Sequence, residues 1–358
     1  MRIAQVAPLF ESVPPHQYGG TERVVSWLTE ELVRQGHEVT LVASGDSETS
    51  AELLPAWPTA LRLGEPLTDT LAPQLYQIEL MQQEAHRFDV IHWHTGYLHL
   101  PMARRIRVPQ VTTMHGRIDL PELRPLFGEI RDAPLISISD DQRRPIPDAN
   151  WVATIHHGLP EDLYAPGSGD GGYLAFLGRI SPEKRVDRAV EIARRTGMPL
   201  KVAAKVDPVD EEYFETEIRH LFDDPLVEYI GEIGEDDKGR FLGDAAAMLF
   251  PIDWPEPFGI VMIEAMALGT PTIAMRTGSV PEVLEDGVTG SLVTSVDEAV
   301  AAVQAIDRFD RAAVRRRFEE RFTAERMAAE HVTLFEWLIQ NSRVPFGVVA
   351  PATPSPLA

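Results

Sequence analysis

A rhythm constrains this chain more than any other feature. Short apolar runs of strand length alternate with amphipathic stretches of helix length from one end to the other. That alternation builds parallel sheets covered by helices on both faces. In the first half it predicts strands at Ile3–Ala7, Glu38–Ala43, Val90–Trp93, Gln110–Met114, Leu135–Ile138 and Trp151–Ile155. Between the first two, Val24, Val25, Leu28 and Leu32 recur at helical spacing. Thr21 is the expected N-cap of that helix, and Gly36 stands where a left-handed residue ends it. The rhythm breaks over Leu159–Gly172, which holds Pro160, Pro166, Gly167, Gly169, Gly171 and Gly172. It restarts with strands at Tyr173–Leu177, Leu200–Ala204, Leu226–Ile230, Met248–Ile252 and Thr272–Met275. Helices are expected at Val186–Arg195 and Phe258–Leu268.

The expected fold class is therefore α/β, with two Rossmann-like parallel-sheet domains facing across a cleft. The first covers 1–160, a linker 161–172 and the second 173–323. A helix over 324–340 has Met327, His331, Leu334 and Leu338 on one face, and a proline-rich tail, 341–358, is expected to be disordered. Ligands in such sheets bind at the C-terminal ends of the strands.

Composition removes several functions. The chain has 358 residues and no cysteine, so disulfides and cysteine-built metal sites are excluded. Its formal charge is −22, which disfavours nucleic acid and anionic lipid. No lysine precedes Lys184. Arg104, Arg105 and Arg107 read as a solvated helix end. The apolar run at the start stops at Pro8 and reads as a strand rather than a signal peptide; a cytoplasmic location is expected.

Two stretches carry chemistry. In Phe176-Leu177-Gly178-Arg179-Ile180-Ser181-Pro182-Glu183-Lys184-Arg185, Gly178 is expected to let the chain turn, and Arg179 and Lys184 fall at the mouth of the sheet. Two cations near a helix N-terminus suit a diphosphate. In Trp254-Pro255-Glu256-Pro257-Phe258-Gly259-Ile260-Val261-Met262-Ile263-Glu264, Pro257 fits the first position of a helix and Glu264 lies slightly over two turns after Glu256. Glu264 is the only charge in an otherwise apolar helix, so a polar ligand is its natural partner. No Asp-x-Asp follows a strand; Asp140-Asp141, Asp223-Asp224 and Asp236-Asp237 fall at helix starts or turns, and no metal site is expected. His92-x-His94 lacks a nearby third ligand.

Together these stretches resemble the family-four retaining glycosyltransferases, which have the GT-B fold. The matching residues are Gly178-Arg179 with Lys184, Glu256 and Glu264 as Glu-x7-Glu, Gly269-Thr270-Pro271-Thr272-Ile273-Ala274, Gly278-Ser279-Val280-Pro281-Glu282-Val283 and Gly287-Val288-Thr289-Gly290. The resemblance implies a nucleotide-sugar donor, favouring a UDP-linked hexose, and no metal; members acting on lipids carry a basic patch on the N-terminal domain, and with no lysine before Lys184 a small soluble acceptor is expected rather than a lipid. Arg179 and Lys184 would hold the diphosphate, with Lys205 a weaker candidate. Glu264 would bond the ribose, and Ile233 in Ile230-Gly231-Glu232-Ile233 would cradle the base. Glu256 with the amides of Phe258 and Gly259 would hold the sugar ring. In the N-terminal half, Gly19 and Gly20 of Tyr18-Gly19-Gly20-Thr21-Glu22 would approach the donor or acceptor. His115 would lie near the transferred sugar, with His94 a weaker acceptor contact. His92, His156 and His157 read as structural histidines.

A nucleotide-sugar epimerase on the same fold, or a non-catalytic nucleotide-sugar sensor, would share the diphosphate site. The Glu256/Glu264 pair favours transfer. An epimerase would need acid and base carboxylates at the sugar, and a sensor would bind donor without turnover.

Overall fold

The protein's structure is a computed structural model describing residues 1–16, 19–64 and 67–341, the side chain of Asp236 excepted. The proline-rich tail lies outside the described residues apart from Asn341, as does Tyr18. The chain forms two compact units: Met1–Gly158 together with the segment from Ala324, and Leu159–Thr323.

The N-terminal unit is built on seven strands: β1 (Arg2–Val6), β2 (Glu38–Ser44), β3 (Glu52–Trp57), β4 (Val90–Trp93), β5 (Gln110–Met114), β6 (Leu135–Ser137) and β7 (Trp151–Thr154). They lie in the order β3-β2-β1-β4-β5-β6-β7, every pairing parallel. Ile3, Val6, Leu41, Ile91, Val111 and Ile136 are fully buried, as strands covered on both faces require. The first helix, Gly20–Arg34, starts one residue before the expected cap. Gly19 is the N-cap and no side chain caps it, so Thr21 does not have that role. At the other end Gly36 adopts φ 85°. The last helix, Ala324–Asn341, belongs to this unit and packs on the first helix and β4. Met327, His331, Leu334, Phe335 and Leu338 form its buried face.

The second unit has six strands: β8 (Leu174–Arg179), β9 (Leu200–Lys205), β10 (Val227–Gly231), β11 (Ala247–Phe250), β12 (Thr272–Met275) and β13 (Gly290–Val293). Their order is β10-β9-β8-β11-β12-β13, again all parallel. The segment expected as a linker, 161–172, is fastened to this unit. Gly167 N donates to Leu268 O at 2.9 Å and Gly171 N to Asp244 O at 2.9 Å. A Cβ on Gly167 would stand 2.2 Å from the Gly243 carbonyl oxygen, which is why glycine is needed there. Arg311 donates to the carbonyls of Gly167, Gly243 and Ala245, holding both sides of this contact.

In each sheet the strand order reverses beside its first strand: between β1 and β4, and between β8 and β11. Loops leaving the C-terminal ends of those neighbours run apart, and the crevice they leave is where such sheets bind ligands.

Candidate functional site

The loops after β8 and β11 hold the second unit's polar cluster. β8 runs on through Gly178 to Arg179, so the glycine is extended strand and not a turn. The left-handed residue is instead Arg185, at φ 55°. Its guanidinium is fixed by Asp187 at 2.7 Å and Asp253 at 2.9 Å. A non-glycine residue tolerates that backbone only when its surroundings hold it. The Asp253 amide also donates to Glu183 O at 2.8 Å, tying the two loops together.

Three cations gather here, each facing a carboxylate. Arg179 pairs with Asp207 and Glu183, both at 3.3 Å. Lys205, ending β9, pairs with Asp207 at 3.2 Å. Burial works against the charge on Asp207, but the bonds and positive charges of Lys205 and Arg179 outweigh it and lower its pKa. Lys184 bonds Glu256, whose Oε2 also accepts from Trp254 Nε1 at 3.0 Å. The ammonium lies over the Trp254 and Phe250 rings, 5.3 and 5.8 Å from their centroids. Trp254 was not singled out in the sequence. A diphosphate entering this cluster would meet ready donors.

The helix after β11 is Ile260–Ala267, shorter than expected, with Gly259 as its N-cap at φ 77°. Pro257 and Phe258 precede it, so Glu256 and Glu264 do not share one helix and turn-counting does not relate them. Glu256 is placed by the turn at Gly278. Ser279 N donates to Glu256 O at 3.0 Å, and Ser279 Oγ to Phe258 O at 3.0 Å. Gly278 has φ 56°, and a Cβ on it would lie 2.4 Å from Glu256 N. Gly278→Ala is expected to cost about 2 kcal/mol, to lower the unit's melting temperature by roughly 4–8 °C and to weaken donor binding. Calorimetry on the variant checks both; an unchanged melt would show that the turn is not constrained.

Glu264 is buried, 2 % exposed, but has a protein partner: Lys238 Nζ donates to its Oε1 at 2.8 Å. A protein side chain thus partners the carboxylate at Oε1, where the sequence alone pointed to a polar ligand as its natural partner. Ile233 follows β10 at the same end of the sheet, in the loop that enters the helix Glu235–Gly243.

In the N-terminal unit the corresponding edge carries histidines. His94 ends the run after β4, its amide donating to Val6 O at 2.9 Å across the strand-order reversal. His115 follows β5. With Gln5 Oε1 accepting from His94 Nε2 at 2.7 Å, His94 Nδ1 is left to accept from His115 Nε2 at 2.8 Å. His115 Nδ1 is then an acceptor, and it has no hydrogen-bond partner among the described residues. The His92 ring lies tilted against His94 with centroids 4.0 Å apart and against His331 of the last helix at 5.0 Å, and His115 stacks on His157 at 5.2 Å. Burial, with the charge of His331, lowers the His115 pKa to about 3; burial together with neighbouring imidazoles drives His92, His94 and His157 well below the ordinary range. These rings are neutral hydrogen-bonding groups at any ordinary pH. Gly19 is buried beside Pro15 and Gly20 is exposed at the start of the first helix. Among the described residues no group of three or more histidine, aspartate or glutamate side chains is arranged to hold a metal ion, and no helix is long and apolar enough to cross a membrane.

Residues 18–189 match the profile described as Glycosyltransferase Family 4, and residues 166–321 match Glycosyl transferases group 1. The chain is 25 % identical to the D-inositol 3-phosphate glycosyltransferase of Mycolicibacterium smegmatis, with 89 % of this chain and 83 % of the relative aligned. Its fold is similar to sucrose-phosphate synthase from Thermosynechococcus elongatus, with TM-score 0.76, 19 % identity, and coverage of 95 % of this chain and 99 % of that one. It is also similar to Anabaena HepE solved with UDP and glucose, with TM-score 0.72, 18 % identity, and coverage of 94 % and 100 %. Two profiles that together span residues 18–321, on two parallel Rossmann-like sheets, place the chain in the family-four, group 1 glycosyltransferases with the GT-B fold.

Proposed function

We propose that the protein moves a hexose from a nucleoside diphosphate sugar, with UDP as the favoured nucleotide, to a hydroxyl of a small soluble acceptor, with retention and without a metal ion. The observation that carries this reading is the cluster of Arg179 and Lys184 at the strand-order reversal of the second sheet, with Lys205 at the end of the neighbouring β9, beside Glu256 and the Gly259 cap. The solved complex of HepE with UDP and glucose supports the choice of nucleotide. The relatives named D-inositol 3-phosphate glycosyltransferases support a small polyol phosphate as acceptor.

In this reading Arg179 and Lys184, with Lys205, hold the diphosphate. Glu264 accepts from the ribose, and the backbone near Ile233 lies along the base. Glu256 and the amides of Phe258 and Gly259 hold the sugar's hydroxyls. His115 accepts from a hydroxyl of the transferred sugar, and His94 contacts the acceptor and holds His115. The acceptor oxygen bonds to the anomeric carbon as the bond from that carbon to the diphosphate breaks. The diphosphate leaves with the electron pair and takes the acceptor's proton. Fixed cations at the departing oxygens stabilise the charge that develops there.

The test is to incubate the protein with uridine, guanosine and adenosine diphosphate hexoses, with and without inositol phosphate and other polyols, and to follow nucleotide release and product. Acceptor-dependent release of nucleoside diphosphate is expected, and EDTA is expected to leave its rate unchanged. Interconversion of sugars without acceptor would indicate an epimerase, and donor binding without turnover on any acceptor a sensor. Loss of rate in EDTA, restored by magnesium or manganese, would contradict the metal-independent mechanism.

A further inference from the structure

Among the described residues, Glu264 is the one acidic side chain of the second unit that is fully buried. A charge so placed persists only when it is paired and hydrogen-bonded. Lys238 provides the pair, and it does not act alone. Its ammonium also donates to Glu235 Oε2 at 3.3 Å, and Glu235 Oε1 accepts from the hydroxyl of the buried Tyr164. Four side chains thus form one hydrogen-bonded chain. Tyr164 comes from the segment that enters the unit, Glu235 and Lys238 stand one turn apart on the helix Glu235–Gly243, and Glu264 lies on the helix Ile260–Ala267.

The two oxygens of Glu264 are unequal. Oε1 is taken by Lys238, whereas Oε2 receives no hydrogen bond from any described residue. An ionised carboxylate accepts and never donates. A ligand group that satisfies Oε2 must therefore be a donor, such as a hydroxyl, and not a carbonyl or an ether oxygen.

We propose that Lys238 is a positioning residue that makes the nucleotide site demand an intact ribose diol. By holding Oε1, it fixes the carboxylate's orientation and presents Oε2 to the 2′- and 3′-hydroxyls. This rests on the donor reading above. Diphosphate affinity comes from Arg179, at the end of β8, and Lys184, on the loop after it, and is separable from discrimination at the sugar of the nucleotide. Removing Lys238 leaves a buried carboxylate unpaired and no longer held in place, and the preference for ribose falls while diphosphate binding persists.

The test measures dissociation constants for UDP, GDP and ADP and for their 2′-deoxy counterparts, against the parent chain and Lys238→Met, Lys238→Arg, Glu235→Gln and Tyr164→Phe. For the nucleotide that binds, the parent is expected to favour the ribo form by on the order of tenfold or more. In Lys238→Met that ratio is expected to drop to roughly threefold or less, mainly through weaker binding of the ribo form. Lys238→Arg keeps a cation and should restore much of the ratio. Glu235→Gln and Tyr164→Phe loosen the far end of the chain and should lower it partway. A merely structural lysine would weaken both nucleotides equally, so an unchanged ratio in folded Lys238→Met overturns the proposal. If Lys238→Met does not fold, unchanged ratios in both Glu235→Gln and Tyr164→Phe overturn it. A parent chain that binds no nucleotide at all would instead refute the donor reading itself.

Discussion

A chain ending at Thr323 is expected to lose the fold of its N-terminal unit along with its activity. The last helix contributes Met327, Leu334, Phe335 and Leu338 to that unit's interior, and His331 to its histidine cluster. Large apolar side chains contribute roughly 2 kcal/mol each when fully buried. Their sum, on the order of 8–10 kcal/mol, is as large as the whole net stability of a typical domain. The first helix and β4 would be left with exposed apolar surface. Gly158 N would also lose Met327 Sδ, and Arg326 would no longer donate to the carbonyls of His156 and His157. A chain ending at Asn341 keeps all of these contacts and should match the parent. Solubility and thermal melts of the two truncations decide the matter. A Thr323 chain that stays soluble and melts like the parent would show that the helix is dispensable.

The second large effect is acid lability confined to the N-terminal unit. His92, His94, His99, His157 and His331 are each no more than 4 % exposed. Burial is the main cause that lowers their pKa values. It takes His99 to about 3 and His331 to about 4, the latter against a hydrogen bond from Nδ1 to Met327 O that favours the charged ring. The folded state thus takes up fewer protons than the unfolded chain, where the rings titrate near 6.5. Their contribution to stability is complete above about pH 6.5 and is lost as the pH falls towards the folded values. Each ring changes stability by roughly 1.4 kcal/mol per pH unit in that window, so five acting together approach 7 kcal/mol per unit. The second unit carries only His220, which is exposed. Tryptophan fluorescence reports on this selectively, because five of the six tryptophans, all but Trp254, lie in the N-terminal unit. Cooperative unfolding of that unit between about pH 6 and pH 4 is expected. An unchanged emission down to pH 4 would contradict it.

Local pattern made much of the architecture legible, and non-local placement hid the rest. Eleven strands show as apolar runs, but β3 and β13 do not. β3 is an edge strand containing Pro55, and such strands need neither continuous apolarity nor every backbone donor. β13 begins at Gly290, where a Cβ would stand 1.9 Å from Thr272 O, so the residue that marks it is one that usually weakens a strand. The cations of the proposed donor site are visible because Arg179 and Lys184 lie five residues apart at a strand end. Lys238 was not, because its partner Glu264 is 26 residues away and only the packing of two helices brings them together. The histidines illustrate the same limit. His92 and His157 each read alone as structural, and their gathering with His94, His115 and His331 follows from the order β1-β4-β5 together with the return of the last helix.

The central claim, that the loops after β8 and β11 bind a nucleoside diphosphate, is tested most directly by calorimetric titration of UDP, GDP and ADP into the parent protein, Arg179→Ala and Lys184→Ala. Each lost charge-assisted contact removes about 1.5–3 kcal/mol. The account therefore predicts one nucleotide bound by the parent, and binding weakened by roughly 10- to 100-fold in each variant, while both variants melt within a few degrees of the parent. Variants that bind the nucleotide as tightly as the parent would contradict the assignment.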